Sequence, residues 1–209
     1  MGKAIIGRKV GMTQLFAEDG KVIPVTVIEA GPCPVVQVKT PETDGYTALK
    51  LGFLPAKEKA LNKPDLGQFK KAGVNPCKVL REVRLDSVEG YKVGDEVKAD
   101  VFAADHVDAS GVTKGHGYTG VIKRWNQHRL KETHGVGPVH REPGSMGANS
   151  SPSRVFKHKN LAGQYGVENV TIQNLEVVRV DVARNAILVK GAIPGVKGSV
   201  VTLKTSVKA

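Results

Sequence analysis

His128, His134 and His140 recur at six-residue intervals, with Glu132 and Glu142 as the only nearby carboxylates. Imidazoles and carboxylates in one short segment could hold a metal or move a proton. The spacing does not favour a metal: it puts no two histidines on one helical face, and no Cys, Asp or close His pair joins them. Glu132 or Glu142 paired with a histidine would suit acid–base chemistry, yet nothing else in the segment assembles a site around such a pair. PGSMG (143–147) has the order G-S-x-G, not the G-x-S-x-G of a nucleophile elbow. GHGYTG (115–120) matches G-x-G-x-x-G, which binds a dinucleotide only between a buried strand and a helix, with an acidic residue about twenty positions on. Here ASGVTK precedes it, VIKRW follows and reads as β-like and basic, and parallel βαβ alternation is absent. Its glycines are better suited to bending the chain and letting backbone approach a phosphate surface. Enzymatic readings are therefore not favoured, and neither a cofactor nor a metal is expected.

The same residues suit a polyanion better. The chain of 209 residues carries a net charge of +11. Residues 1–110 hold 16 Lys and Arg against 15 Asp and Glu, residues 111–160 hold 9 against 2, and residues 161–209 hold 6 against 3. Most of the excess thus lies in one segment, which also contains five of the six histidines. A merely solvated surface mixes both signs. Arg124, Arg129, Arg141 and Arg154 can fork onto phosphates or stack on bases, and Lys123, Lys131, Lys157 and Lys159 can neutralise phosphate. Trp125, Phe156 and the histidines offer rings to exposed bases. Histidines among phosphates would also tend to protonate. Trp125 has a second possible role, as a lid on the end of the folded domain.

The elements that must position these residues are mostly strands. GKVIPVTVIEA, PVVQVKT, YTALKLGFL, VLREVRL, NVTIQNLEVVRVD, NAILVKGAIPG and SVVTLKTSV are β-branched or alternating runs bounded by turn residues. YKVGDEVKADVF is a further β signal, turning near Gly94–Asp95. Val182–Ala183–Arg184 reads as a hairpin, and Cys33, bracketed by Pro32 and Pro34, reads as a connection. About residues 56–75 Lys, Ala, Leu and Glu dominate, and Pro64 and Gly67 limit helix to short pieces. Many short strands with little helix indicate an antiparallel barrel or sandwich.

The β pattern breaks once, between about Trp125 and Gly166. From Asn126 to Asn160 the large apolar side chains are only Leu130, Val136, Val139, Met146, Val155 and Phe156. Such a segment cannot bury enough surface to offset its ordering entropy, so it is expected to be disordered alone and ordered by a partner. It reads as an insertion whose ends lie close together. Cys33 and Cys77 lack metal or disulfide spacing and read as small buried side chains of a reducing cytosol. No run of eighteen apolar residues occurs. A soluble intracellular protein is expected.

GRKVGMTQLF at 7–16, SGVTKGHGYTGVIKRW at 110–125 and THG…HREPGSMG…P…RVFKHKNLAGQYG at 133–166 resemble, in order and along the whole chain, the bacterial form of the universal large-subunit ribosomal protein L3 family. The resemblance implies a mainly β fold: a translation-protein-type antiparallel β-barrel with a small helical or irregular excursion and a long basic extension. It implies a barrel domain over 1–125 and 166–209 and an rRNA-penetrating loop over 126–165. It implies binding to 23S rRNA near its 3′ end, a part in early assembly of the large subunit, and a tip around Gly144–Pro152 that approaches the peptidyl-transferase centre. L14 and L19 family members would be neighbours; no membrane, small-molecule substrate or homo-oligomer is expected. The rRNA-binding candidates are Lys114, His116, Lys123, Arg124, Trp125, His128, Arg129, Lys131, His134, His140, Arg141, Ser145, Asn149, Arg154, Lys157, His158 and Lys159. Some relatives have a methylated glutamine matching Ala148–Ser151. No glutamine lies between Gln127 and Gln164 here, so that modification is not expected.

Overall fold

The computed structural model describes residues 2–102 and 106–208. Its strands are β1 (Ala4–Phe16), β2 (Val22–Ala30), β3 (Cys33–Lys39), β4 (Ala48–Pro55), β5 (Cys77–Arg84), β6 (Glu96–Val97), β7 (His106–Val112), β8 (Gly117–Thr119), β9 (Gly163–Tyr165), β10 (Asn169–Asp181), β11 (Ala186–Lys190) and β12 (Val200–Thr205). Helices are α1 (Pro41–Asp44), α2 (Lys63–Ala72) and α3 (Val121–Trp125), with short 3-10 turns at Glu58–Ala60 and Ala99–Phe102. None is long and apolar enough to cross a membrane. The chain divides into two compact units, Met1–Thr113 with Asn169–Ala209, and Lys114–Glu168.

In the first unit six strands close an antiparallel barrel in the order β1-β12-β7-β10-β11-β2. The period-2 pattern explains its filling, because alternate side chains of a strand share one face. Val107 and Ala109 on β7, Ile187 and Val189 on β11, and Val201 and Leu203 on β12 are all fully buried. Each large side chain so buried contributes roughly 1.5–3 kcal/mol. Closure also leaves no open sheet edge to pair with other chains. Val112 on β7 lies opposite Asn169 on β10, so the chain that leaves the barrel after Thr113 returns beside its point of departure.

A separate four-stranded sheet, β5-β4-β3-β6, completes this unit, and its Leu49, Leu51 and Phe53 join the same core cluster. Helix α2 seats Phe69 against Val36 and Cys77. Pro64 opens that helix, where its missing N–H costs nothing, and Gly73 ends it in the left-handed region at φ 66°. Gly67 is carried inside the helix rather than ending it. Both cysteines are buried, and burial pushes the Cys33 thiol up to about 12.

Two local expectations need correction. Cys33 and Pro34 are not a connection: they open β3, opposite Val97 and Glu96 of β6. Pairing with β4 begins only at Val35, so Pro34 costs that ladder no donor. YKVGDEVKADVF yields only the two-residue β6. The turn falls at Gly94–Asp95 as expected, where Lys92 N–H donates to Asp95 Oδ2 and Gly94 adopts φ 97°, but beyond β6 the chain winds into a 3-10 turn at Ala99–Phe102 instead of extending.

Two polar arrangements carry expected outcomes. Lys9 is buried, and its Nζ donates to the carbonyls of Ile193 (2.8 Å) and Gly195 (3.1 Å), tying the β11–β12 loop to β1. Lys9→Met preserves the stem but leaves those carbonyls without the ammonium. A loss of about 3 kcal/mol is expected, seen as a Tm lower by roughly 10 °C in a thermal scan. In the sheet, Lys39 Nζ lies 3.0 Å from the Glu82 carboxylate and donates to the Tyr46 hydroxyl (2.7 Å), which donates to Glu82 (2.8 Å). The bond from Lys39, then that from Tyr46, holds Glu82 below the usual carboxylate range. A carboxyl with a depressed folded pKa adds stability above its unfolded value and loses it as pH falls through the folded one. Glu82→Gln should therefore lower Tm at neutral pH, and the two melting curves should converge once acid protonates Glu82.

Candidate nucleic-acid interface

The second unit is built on a small ribbon. Strands β8 and β9 pair antiparallel with Gly117 opposite Tyr165 and Thr119 opposite Gly163, and His116 N–H extends the pairing to Tyr165 O (2.8 Å). The His116 and Tyr165 rings stack with centroids 5.1 Å apart. At the foot of the ribbon Gly166 adopts φ 77°, and a Cβ there would fall 1.9 Å from the Lys114 carbonyl oxygen. Only glycine fits this crossing.

VIKRW, expected to be β-like, is the helix α3. Five residues are too few for the period to separate strand from helix; the flanks decide. Gly120 enters extended, its carbonyl accepts from Arg124 N–H (3.0 Å), Val121 is buried beneath, and Asn126 ends the helix at φ 54°. This one turn presents Arg124 and Trp125 side by side. Arg124 Nη1 and Trp125 Nε1 both donate to Leu161 O at 2.9 Å, and the guanidinium lies 5.0 Å from the indole centroid. A Cβ on Gly163 would approach Arg124 Nη1 to 2.5 Å, so the glycine makes room for the guanidinium. Gln127 Nε2 donates to Asn160 O (3.3 Å), which closes the neck of the insertion and brings its ends together as expected.

From 127 to 162 there is no helix or strand. What order exists is local: Leu130 N–H donates to His140 O (3.1 Å), His140 Nδ1 lies 3.3 Å from Lys131 O, and Ser145 Oγ bonds the backbone of Gly147. Arg154 lies over the Phe156 ring, 5.0 Å from its centroid. Of the sequence candidates, Arg124 and His140 are half-buried. Lys114, His116, Lys123, Trp125, His128, Arg129, Lys131, His134, Arg141, Ser145, Asn149, Arg154, Lys157, His158 and Lys159 are exposed. Nine Lys and Arg face three Glu in this unit, and Arg129 and Glu132 form an ion pair at 2.5 Å. Among the described residues no three His, Cys, Asp or Glu side chains gather as a metal would require. All strand pairs described are antiparallel, so GHGYTG lacks the parallel βαβ setting of a dinucleotide site.

A two-sided resemblance along the full length decides the family. The chain is 54% identical to the large ribosomal subunit protein uL3 of Acetivibrio thermocellus over 211 residues, covering 100% of this chain and 99% of that protein. It is 55% identical to the protein of the same name from Pelotomaculum thermopropionicum over 210 residues, with the same coverage. The chain belongs to the ribosomal protein L3 family. The family's own sequence profile, described as Ribosomal protein L3, matches residues 91–186, from the turn before β6 to the first residue of β11. That span contains the whole unit Lys114–Glu168. L3 proteins are structural components of the ribosome, not enzymes, which removes the enzymatic readings of Glu132, Glu142 and Ser145.

For this L3-family chain, sequence reasoning passed over Tyr118 and Tyr165. Tyr118 is 82% exposed beside the stacked His116–Tyr165 pair. A tyrosine between glycines in a basic run was a usable signal for the first. The second is visible only through the strand pairing.

Proposed function

We propose that the chain is a structural component of the large ribosomal subunit that binds 23S rRNA near its 3′ end. In this reading residues 1–125 and 166–209 seat the protein on the subunit surface, and 126–165 penetrate the RNA. The tip around Gly144–Pro152 buttresses the peptidyl-transferase centre, and binding helps to nucleate assembly. L14 and L19 family members are the protein neighbours, the location is the cytoplasm, and neither a small-molecule substrate nor self-association is involved. One observation carries the proposal: a unit without a hydrophobic core exposes eight of its nine Lys and Arg, with the ninth half-buried, against three Glu. Cationic groups hold phosphates, and small residues let the backbone pass between RNA helices. The supporting test is affinity for a 3′-terminal fragment of 23S rRNA across a salt series, beside an unrelated RNA of equal length. Preference for the 3′-terminal fragment that persists as salt rises supports the reading. Equal affinity for the two RNAs overturns it.

A further inference from the structure

The rings of the second unit are not all arranged alike. Trp125 and Phe156 each have an arginine guanidinium stacked 5.0 Å from the ring centroid, and each remains substantially exposed, at 44% and 59%. Trp125 is fixed in addition by its N–H bond to Leu161 O, and its arginine by a bond to the same carbonyl and by the space above Gly163. A flat, weakly hydrated guanidinium covers one ring face well, which leaves the opposite face as an apolar plate beside a positive charge. Phosphate binding by itself needs no such plate: Lys123, Lys131, Lys157 and Lys159 meet that need as point charges. An unpaired base fits both features, because it has a π face for the ring and a phosphate for the nearby cation. Bases stacked within a duplex present no free face.

We propose that Trp125 and Phe156, each backed by its neighbouring arginine, are two preformed stacking platforms that hold unpaired RNA bases. This rests on the RNA-binding reading and specifies what part of the RNA the unit recognises. The platforms accept any base, since every base has a π face, so selection is for unstacked nucleotides and not for sequence.

Trp125 is the chain's one tryptophan, so its fluorescence reports directly on one platform. The full chain is titrated with three end-labelled probes: a single-stranded oligoadenylate, an abasic strand of the same length, and a blunt RNA duplex. Occupancy is followed by anisotropy of the label, and stacking by quenching of Trp125. The expected result is quenching by the oligoadenylate alone at matched occupancy. Phe156→Leu is expected to weaken oligoadenylate binding about tenfold and leave the abasic strand unaffected. Because Phe156 is exposed, this variant leaves the fold intact. Gly163→Ala, which displaces only the end of the Arg124 side chain, is expected to reduce the quenching. If all three probes bind with no Trp125 response and Phe156→Leu changes nothing, stacking is refuted while RNA binding stands. If no probe binds while the 3′-terminal 23S rRNA fragment does, the platforms are refuted and the RNA-binding reading stands. If that fragment does not bind either, both proposals fall.

Discussion

Replacing residues 127–159 by a short Gly/Ser linker is expected to remove most of the salt dependence of binding to the 3′-terminal 23S rRNA fragment. The excised stretch holds six cationic side chains: Arg129, Lys131, Arg141, Arg154, Lys157 and Lys159. Each phosphate neutralised adds roughly 0.7–0.9 to the slope of log affinity against log salt, so the slope should fall by about 4–5. Affinity at low salt should drop on the order of a thousandfold, with residual specific binding supplied by the rest of the chain. The Gln127–Asn160 bond shows that the two ends of the stretch already meet, so a short linker can span them without disturbing α3. An unchanged slope would mean that these cations are not the RNA-binding wedge, and the barrel surface would have to be.

Gly166→Ala is expected to be the most damaging single-methyl change in the second unit. The added Cβ would sit 1.9 Å from the Lys114 carbonyl oxygen and 2.9 Å from its carbon, both backbone atoms that cannot swing aside. The residue is also held at φ 77°, which alanine adopts only with strain. The two effects together cost roughly 3 kcal/mol or more, enough to part β8 from β9 and release the neck of the insertion. Limited proteolysis should then cut within 114–168 many times faster than in the parent chain, while the barrel's thermal transition stays near its original position. Gly137→Ala provides the control, since its Cβ would meet nothing within 4 Å and its φ is ordinary. Equal proteolysis of the two variants would show that the crossing tolerates a side chain.

Legibility in the sequence followed the range of the interaction. The strands of NVTIQNLEVVRVD, NAILVKGAIPG and SVVTLKTSV emerged as β10, β11 and β12, because alternation is a local property and each run is long enough to show it. The coreless stretch was equally plain, since composition alone sets how much apolar surface a segment can bury. VIKRW and YKVGDEVKADVF failed for the converse reason. VIKRW is too short for its period to decide and ends as one helical turn at left-handed Asn126, while in YKVGDEVKADVF the turn at Gly94–Asp95 was legible but the 3-10 winding of Ala99–Phe102 was not. The candidate site divides in the same way: charge marked its cations, whereas the roles of Tyr165, Leu161 and Gly163 exist only through pairing across the insertion.

By itself, then, the sequence determined the β class, the concentration of positive charge in one segment without a core, and the family. All three depend on residue type and short-range order. Tertiary structure alone decided that β1 closes the barrel against β12, Ala4 opposite Lys204, and that a second sheet shares its core. It alone decided that Gly163 and Leu161 brace Arg124 and Trp125. These are contacts between residues far apart in the chain, and no local pattern encodes which distant backbone comes close enough to exclude a Cβ or accept a hydrogen bond.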